Sequence, residues 1–177
     1  DDAGAAGLVA DPDFQDALAP VAESRGIPLI STDSITDSPF TVLPSIATDR
    51  MATILYTSGS TGKPKGVVAT HRNIQAQIET LVDAWGWSAD DRILNVLPLH
   101  HVHGIVNAMA CALWSGATCE ILPRWDAEQA WDRLGSGDLT PFMGVPTLHG
   151  PLLSAGDQTS HERRPALNTG VARLRPM

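Results

Sequence analysis

An α/β layered domain, with a largely parallel sheet and flanking helices, is the fold class the sequence predicts, and three observations carry that prediction. Short apolar runs of strand character alternate with segments whose apolar residues recur at helical spacing, as a parallel sheet with crossover helices requires. Helix stop and start signals fall at the junctions, with Pro12 near one start and Gly26 and Gly86 at two ends. At 177 residues and 43% apolar, with both charge signs present, the chain can bury a core of its own.

In chain order, Leu8 to Ala10 reads as a short strand, Asp11 to Gly26 as a helix, and Ile27 to Ile30 as the next strand, together one βαβ unit. Ser31 to Asp49 is rich in Ser, Thr, Asp and Pro and has no apolar period, so it is a connector. Ala52 to Tyr56 (ATILY) reads as a buried strand, and Val67 to Ala69 as a short strand beyond the loop that follows. Ile74, Ile78, Leu81, Val82 and Trp85 then mark an amphipathic helix from Asn73 to about Trp87. Further on come a strand at Arg92 to Leu97, an apolar helix at Gly104 to Ser115 and a strand at Ala117 to Leu122. A helix at Asp126 to Leu134, with Asp126 as N-cap, is followed by a strand at Phe142 to Val145 and a helix at Pro146 to Leu153. Trp85 and Trp114 fall on apolar helical faces and are expected in the core.

The net charge of -8 argues against a nucleic-acid or anionic-membrane surface, because phosphate polymers are met by a basic face. Cys111 and Cys119 lie in apolar surroundings at no metal-ligand spacing and read as free thiols of a reducing compartment. The most apolar run, Ile105 to Trp114, is too short to span a bilayer, and the chain opens on Asp1-Asp2 with no leader pattern. A cytoplasmic location is expected, and both chain ends read as those of a fragment.

Between the strands at Ala52 and Val67 lies YTSGSTGKPKG, Tyr56 to Gly66. Clusters of Gly, Ser and Thr mark flexible loops by composition alone. The same residues can also bring backbone N–H groups and hydroxyls close to an anion, while Lys63 and Lys65 supply compact positive charge. The loop is not a Walker A motif: Gly59 and Gly62 enclose only two residues, and Pro64 follows Lys63 where Ser or Thr would be needed.

The longer string YTSGSTGKPKGVVATHRNI resembles the phosphate-loop signature of the adenylate-forming, AMP-binding acyl-CoA synthetase superfamily. That resemblance implies ATP and CoA as co-substrates and the large N-terminal domain of such an enzyme as the setting. It also implies nucleotide-phosphate contacts from Thr57, Ser58, Gly59, Ser60, Thr61, Gly62, Lys63, Lys65 and Gly66, with Lys65 the foremost catalytic candidate. Fixed donors would stabilise pyrophosphate as it leaves with growing charge.

LPLHHVHG, Leu97 to Gly104, places His100, His101 and His103 together. Adjacent residues rarely converge on one ion and no Asp, Glu or Cys supports them, so no metal site is expected there and, on chemistry alone, a polar strand end accounts for them better. The string resembles the Pro-Leu-x-His-x-x-Gly stretch of the same superfamily, which implies that His101 borders the acyl pocket and the reacting carboxylate. The wider string through Trp125, with Asn107 within it, and FMGVPTLHG beyond, look most like the malonyl-CoA synthetase branch. Malonate would need donors for a second carboxylate, a role open to His101 and His103. Arg124 and Arg133 are read as solvated surface. The resemblance is strongest over 51–153, part of an N-terminal domain spanning 1–177, and the family's Mg²⁺-binding Glu, its ribose-binding Asp and its C-terminal domain lie outside this sequence. A ligase for a fatty or aryl acid, and an inactive remnant that binds only nucleotide phosphates, are the alternatives; the 177-residue chain alone is expected to be inactive.

Overall fold

The computed structural model describes residues 3–36, 42, 44–59, 62–122, 124–158 and 175–176. The chain divides into two compact units, Asp1–Ala47 and Thr48–Met177.

In the first unit, strand β1 (Leu8–Ala10) leads through a 3₁₀ turn into helix α1 (Gln15–Arg25) and then strand β2 (Leu29–Ser31). The strands pair in parallel, with Leu8 opposite Leu29. Asp11 caps the turn by accepting the Asp13 N–H at 3.1 Å, and Gly26, at φ +61°, ends α1 by donating to the Ala22 and Glu23 carbonyls. This is the βαβ unit the sequence predicts, with its second strand starting two residues later.

The second unit opens on an antiparallel hairpin, β3 (Met51–Thr57) with β4 (Lys65–Thr70), so parallel pairing is not uniform. A loop this short can return the chain only antiparallel, since a parallel partner needs a long crossover. Helix α2 (His71–Trp85) follows at once, started by a capping box in which Thr70 and Asn73 exchange bonds of 3.2 and 3.0 Å and stopped by Gly86 at φ +63°. Strands β5 (Arg92–Asn95) and β6 (Thr118–Ile121) pair in parallel. Between them runs a helix that is π-wound over His103–Ala110 and becomes α only in α3 (Cys111–Trp114). The Cys111 N–H still reaches back to the Val106 carbonyl, the i→i−5 bond of a π turn. Helix α4 (Ala127–Leu134), capped by Asp126, leads to strand β7 (Pro141–Phe142), helix α5 (Pro146–Gln158) and strand β8 (Arg175–Pro176), which pairs in parallel with β7.

Strand β5 is the middle layer of this unit. Ile93 on one face packs with Ile78, Trp87, Val106 and Cys111, while Leu94 on the other packs with Ala130, Leu134, Leu139 and Leu152. Side chains alternate across a strand, so a strand buried on both faces reads as a continuous apolar run. Three sequence expectations change here. Ala52 to Tyr56, expected as a buried strand, lies in β3, none of whose residues is buried. Trp114 is 54% exposed, because it ends α3 on the side away from the core. Helix α5 contains Pro151, as expected, but runs on past Leu153 to Gln158: Leu152 and Ala155 are buried, and Gly156 lies so close to Trp131 that a Cβ would come within 2.6 Å of the indole. That packing outweighs the single hydrogen bond a proline removes.

Candidate functional site

The hairpin between β3 and β4 carries the predicted phosphate loop. Thr57 is opposite Lys65 and Tyr56 opposite Gly66 in register, and the Thr57 hydroxyl faces the Lys65 carbonyl at 3.5 Å. Gly59 has φ +61°, and a Cβ on it would stand 2.1 Å from the Lys63 carbonyl oxygen, so only glycine lets the loop close there. The Gly62 N–H turns back to the Gly59 carbonyl at 3.4 Å. Gly66 lies against Ile54, with a Cβ position 2.8 Å from its Cγ2. Ser58, Lys63 and Lys65 are exposed to solvent. Ser60 and Thr61 lie outside the described residues.

The histidine string forms a loop from Leu97 to the π-helical segment, built of two linked turns. The His101 N–H donates to the Pro98 carbonyl at 3.2 Å, and the His101 carbonyl accepts from Gly104 and Ile105, each at 3.1 Å. The backbone of His101 is therefore fixed from both sides while its imidazole is exposed. The His100 and His101 rings lie 4.3 Å apart, tilted by 49°. Gly104 is buried, and a Cβ on it would sit 2.4 Å from the Pro98 carbonyl oxygen. At the foot of the loop is Asn95, 2% exposed. Its Nδ2 donates to the Gly104 carbonyl at 3.2 Å and its Oδ1 accepts the Leu97 N–H at 3.0 Å. Asn107, on the π segment, accepts from Gln77 of α2 at 2.6 Å.

These two motifs meet. A cleft of about 160 Å³ is lined by Thr53, Leu55, Thr57, Val67 and Ala69 on the hairpin and by His100, His101 and Val102 on the loop, with Tyr56 completing it. Its walls are apolar, and its polar groups are the Thr and Tyr hydroxyls and the two imidazoles, a set able to hold a small anionic group by hydrogen bonds. His103 is half-buried at the head of the π segment and does not line this cleft, nor do Lys63 and Lys65. His100, a member of the histidine string without an individual role in the sequence reading, does line it. Asn95 carried no sequence signal beyond being a polar residue inside the strand expected at Arg92 to Leu97; the observed strand ends on it.

Arg133 is not solvated surface. It binds Glu120 through Nε and Nη2, both at 2.7 Å, and Asp138 at 2.5 and 2.9 Å, and it also contacts Ser136. Arg92 adds a third bond to Glu120 at 2.7 Å. The Arg133 hydrogen bond holds the Glu120 carboxyl below its ordinary range, and the Arg133 and Ser136 bonds hold Asp138 well below its own. Arg124 is exposed at a separate groove of about 350 Å³ shared with Asn95, Leu97 and Trp125. Cys111 and Cys119 are unpaired, and burial pushes the Cys111 thiol up to about 11. Among the described residues, no three His, Cys, Asp or Glu side chains gather as metal ligands would, and no helix is long and apolar enough to cross a membrane.

A family model described as AMP-binding enzyme matches residues 4–175. The chain belongs to that family. Among the relatives of this AMP-binding chain is the mitochondrial malonate–CoA ligase ACSF3 of Mus musculus, 43% identical over 163 residues, which are 85% of the chain and 28% of the relative. A malonate–CoA ligase of Arabidopsis thaliana is 37% identical over 139 residues, covering 73% of the chain and 23% of that protein. Among solved structures, a malonyl-CoA ligase product complex with methylmalonyl-CoA and AMP bound superposes with a TM-score of 0.80 at 28% identity, covering 99% of the chain and 36% of that structure. ATP-bound MatB of Rhodopseudomonas palustris gives a TM-score of 0.76 at 29% identity, covering 96% and 34%. The AMP-binding chain thus spans only about 28% of the length of the mouse relative.

Proposed function

We propose that residues 1–177 form part of the N-terminal domain of an ATP-dependent acid–CoA ligase whose acid is malonate. The observation that carries the reading is the shared cleft: Thr57, at the root of the glycine-rich hairpin, and His101, on the histidine loop, line one small cavity. In this reading Thr57, Ser58, Gly59, Ser60, Thr61, Gly62, Lys63, Lys65 and Gly66 hold the β and γ phosphates of ATP. The carboxylate, oriented by His101, attacks the α phosphorus, and His100, the second imidazole of the cleft, takes the place for a second carboxylate that the sequence offered to His103. An acyl–phosphate bond forms, the α–β anhydride bond breaks and pyrophosphate leaves, its charge met by Lys65 and the loop N–H groups. The CoA sulfur then attacks the acyl carbon, a thioester forms and AMP departs. Mg²⁺ would screen the phosphate charge in this reading.

Support for malonate comes from the names of the relatives and from the size and polarity of the cleft, which suits a short diacid with two imidazoles at hand. The unpaired thiols support a reducing compartment, for which we assign the cytoplasm. ATP–pyrophosphate exchange by the full-length protein tests the reading. Malonate-dependent exchange is expected; exchange with a fatty or aryl acid but none with malonate would replace the substrate, and no exchange with any acid would leave a remnant that binds only phosphate.

A further inference from the structure

Asn95 is a polar side chain where β5 has buried apolar ones: Ile93 and Leu94 before it are 0% and 1% exposed, and Asn95 itself 2%. An amide costs free energy to bury unless its hydrogen bonds are made, so the bonds account for its presence. Both go to one loop. The donor goes to Gly104 at the loop's exit and the acceptor to Leu97 at its entrance, at 3.2 and 3.0 Å. Between those anchors, the two turns share His101, whose N–H and carbonyl are both engaged. Gly104 closes the frame, since any side chain there would strike the Pro98 carbonyl.

We infer that Asn95 is a positioning residue: its carboxamide clamps the two ends of the Leu97–Gly104 loop and so sets where the His101 imidazole stands in the cleft. Asn95 touches no cleft-lining atom of the hairpin among its hydrogen bonds, so its effect falls on the acid side of the site and not on the phosphate loop. The kinetic consequence rests on the ligase reading; the structural one does not.

Asn95→Asp is isosteric and keeps the acceptor for Leu97, but it turns an oxygen toward the Gly104 carbonyl where the donor was. In the full-length protein we expect kcat/KM for the acid in ATP–pyrophosphate exchange to fall about a hundredfold, the scale of an ångström-sized misplacement. The KM for ATP should hold. Asn95→Ser, which can keep one of the two bonds, should lose less and serves where the Asp variant does not fold. In both, the imidazole NMR signals of His100 and His101, which sense each other's rings at 4.3 Å, should move while those of His71 and His149 stay. Unmoved His100 and His101 signals in a folded variant overturn the inference, as does a kinetic loss shared equally by the KM for ATP. Absence of acid-dependent exchange in the parent protein would remove the ligase reading alone, and the imidazole signals would still decide the role of Asn95.

Discussion

Gly59 and Gly62 both adopt positive φ, at +61° and +79°, yet they differ in what a side chain would meet. At Gly59 a Cβ collides with the Lys63 carbonyl, whereas at Gly62 it enters open space. Gly59→Ala should therefore raise the KM for ATP about tenfold or more, as strain of a few kcal/mol at a loop would. Gly62→Ala should cost only the left-handed backbone, about 1 kcal/mol. Equal effects of the two on the KM for ATP would contradict the collision at Gly59. On the ligase reading, Lys65→Met would take a cation away from the leaving pyrophosphate and is expected to lower kcat for exchange at least about a hundredfold. At this scale the glycines and lysines were legible because their types are unusual together. The meaning of Gly104 and Asn95 was not, because it depends on carbonyls and N–H groups that turn toward them only in the folded loop.

Helix α2 shows what makes an element legible: a 3.6-residue apolar period and a glycine stop agree, while its start at His71, two residues before the expected Asn73, is set by the Thr70–Asn73 capping box of the folded chain. Thr70→Ala should cost about 1 kcal/mol in urea unfolding. The π winding of His103–Ala110 has no such pattern, since an apolar run reads the same in α or π form. Helix α5 runs beyond the expected end at Leu153 because the contact that carries it on, Gly156 on Trp131, is tertiary and leaves no local pattern. The ion pairs joining β6, α4 and the turn after it belong to this scale too. Glu120 and Asp138 have lowered pKa values, so their contribution is present above the unfolded value of about 4 and is lost as pH falls through the folded one. Arg133→Met should destabilise the protein by about 1–2 kcal/mol near pH 7, a figure that already allows for screening of the half-exposed Asp138. The gap from the parent should close in acid; a gap that persists when both carboxyls are protonated would mean that Arg133 acts through packing.

For the whole molecule, the two buried apolar clusters both lie within Thr48–Met177, while residues 1–47 form their own small unit. A protein shortened to begin at Thr48 should keep cooperative unfolding, as followed by circular dichroism; loss of cooperativity would show that the core depends on the first unit. The alternation of strands and helices was readable because each element carried its own period. That the glycine-rich hairpin and the histidine loop share one site was implied only by the family resemblance, because no local pattern encodes the approach of segments so far apart in the chain. The thiols have a practical use that follows from where the fold puts them. Cys111 is fully buried, and the Cys119 thiol is raised by burial and by the neighbouring Glu120 charge, so both stay protonated at neutral pH and react slowly with maleimides. A cysteine introduced at exposed Ser58 would then be the one fast-labelling position among the described residues. On the ligase reading a dye there would report nucleotide arrival at the hairpin, at the cost of the Ser58 hydroxyl, with no need to strip the native sulfur from the chain.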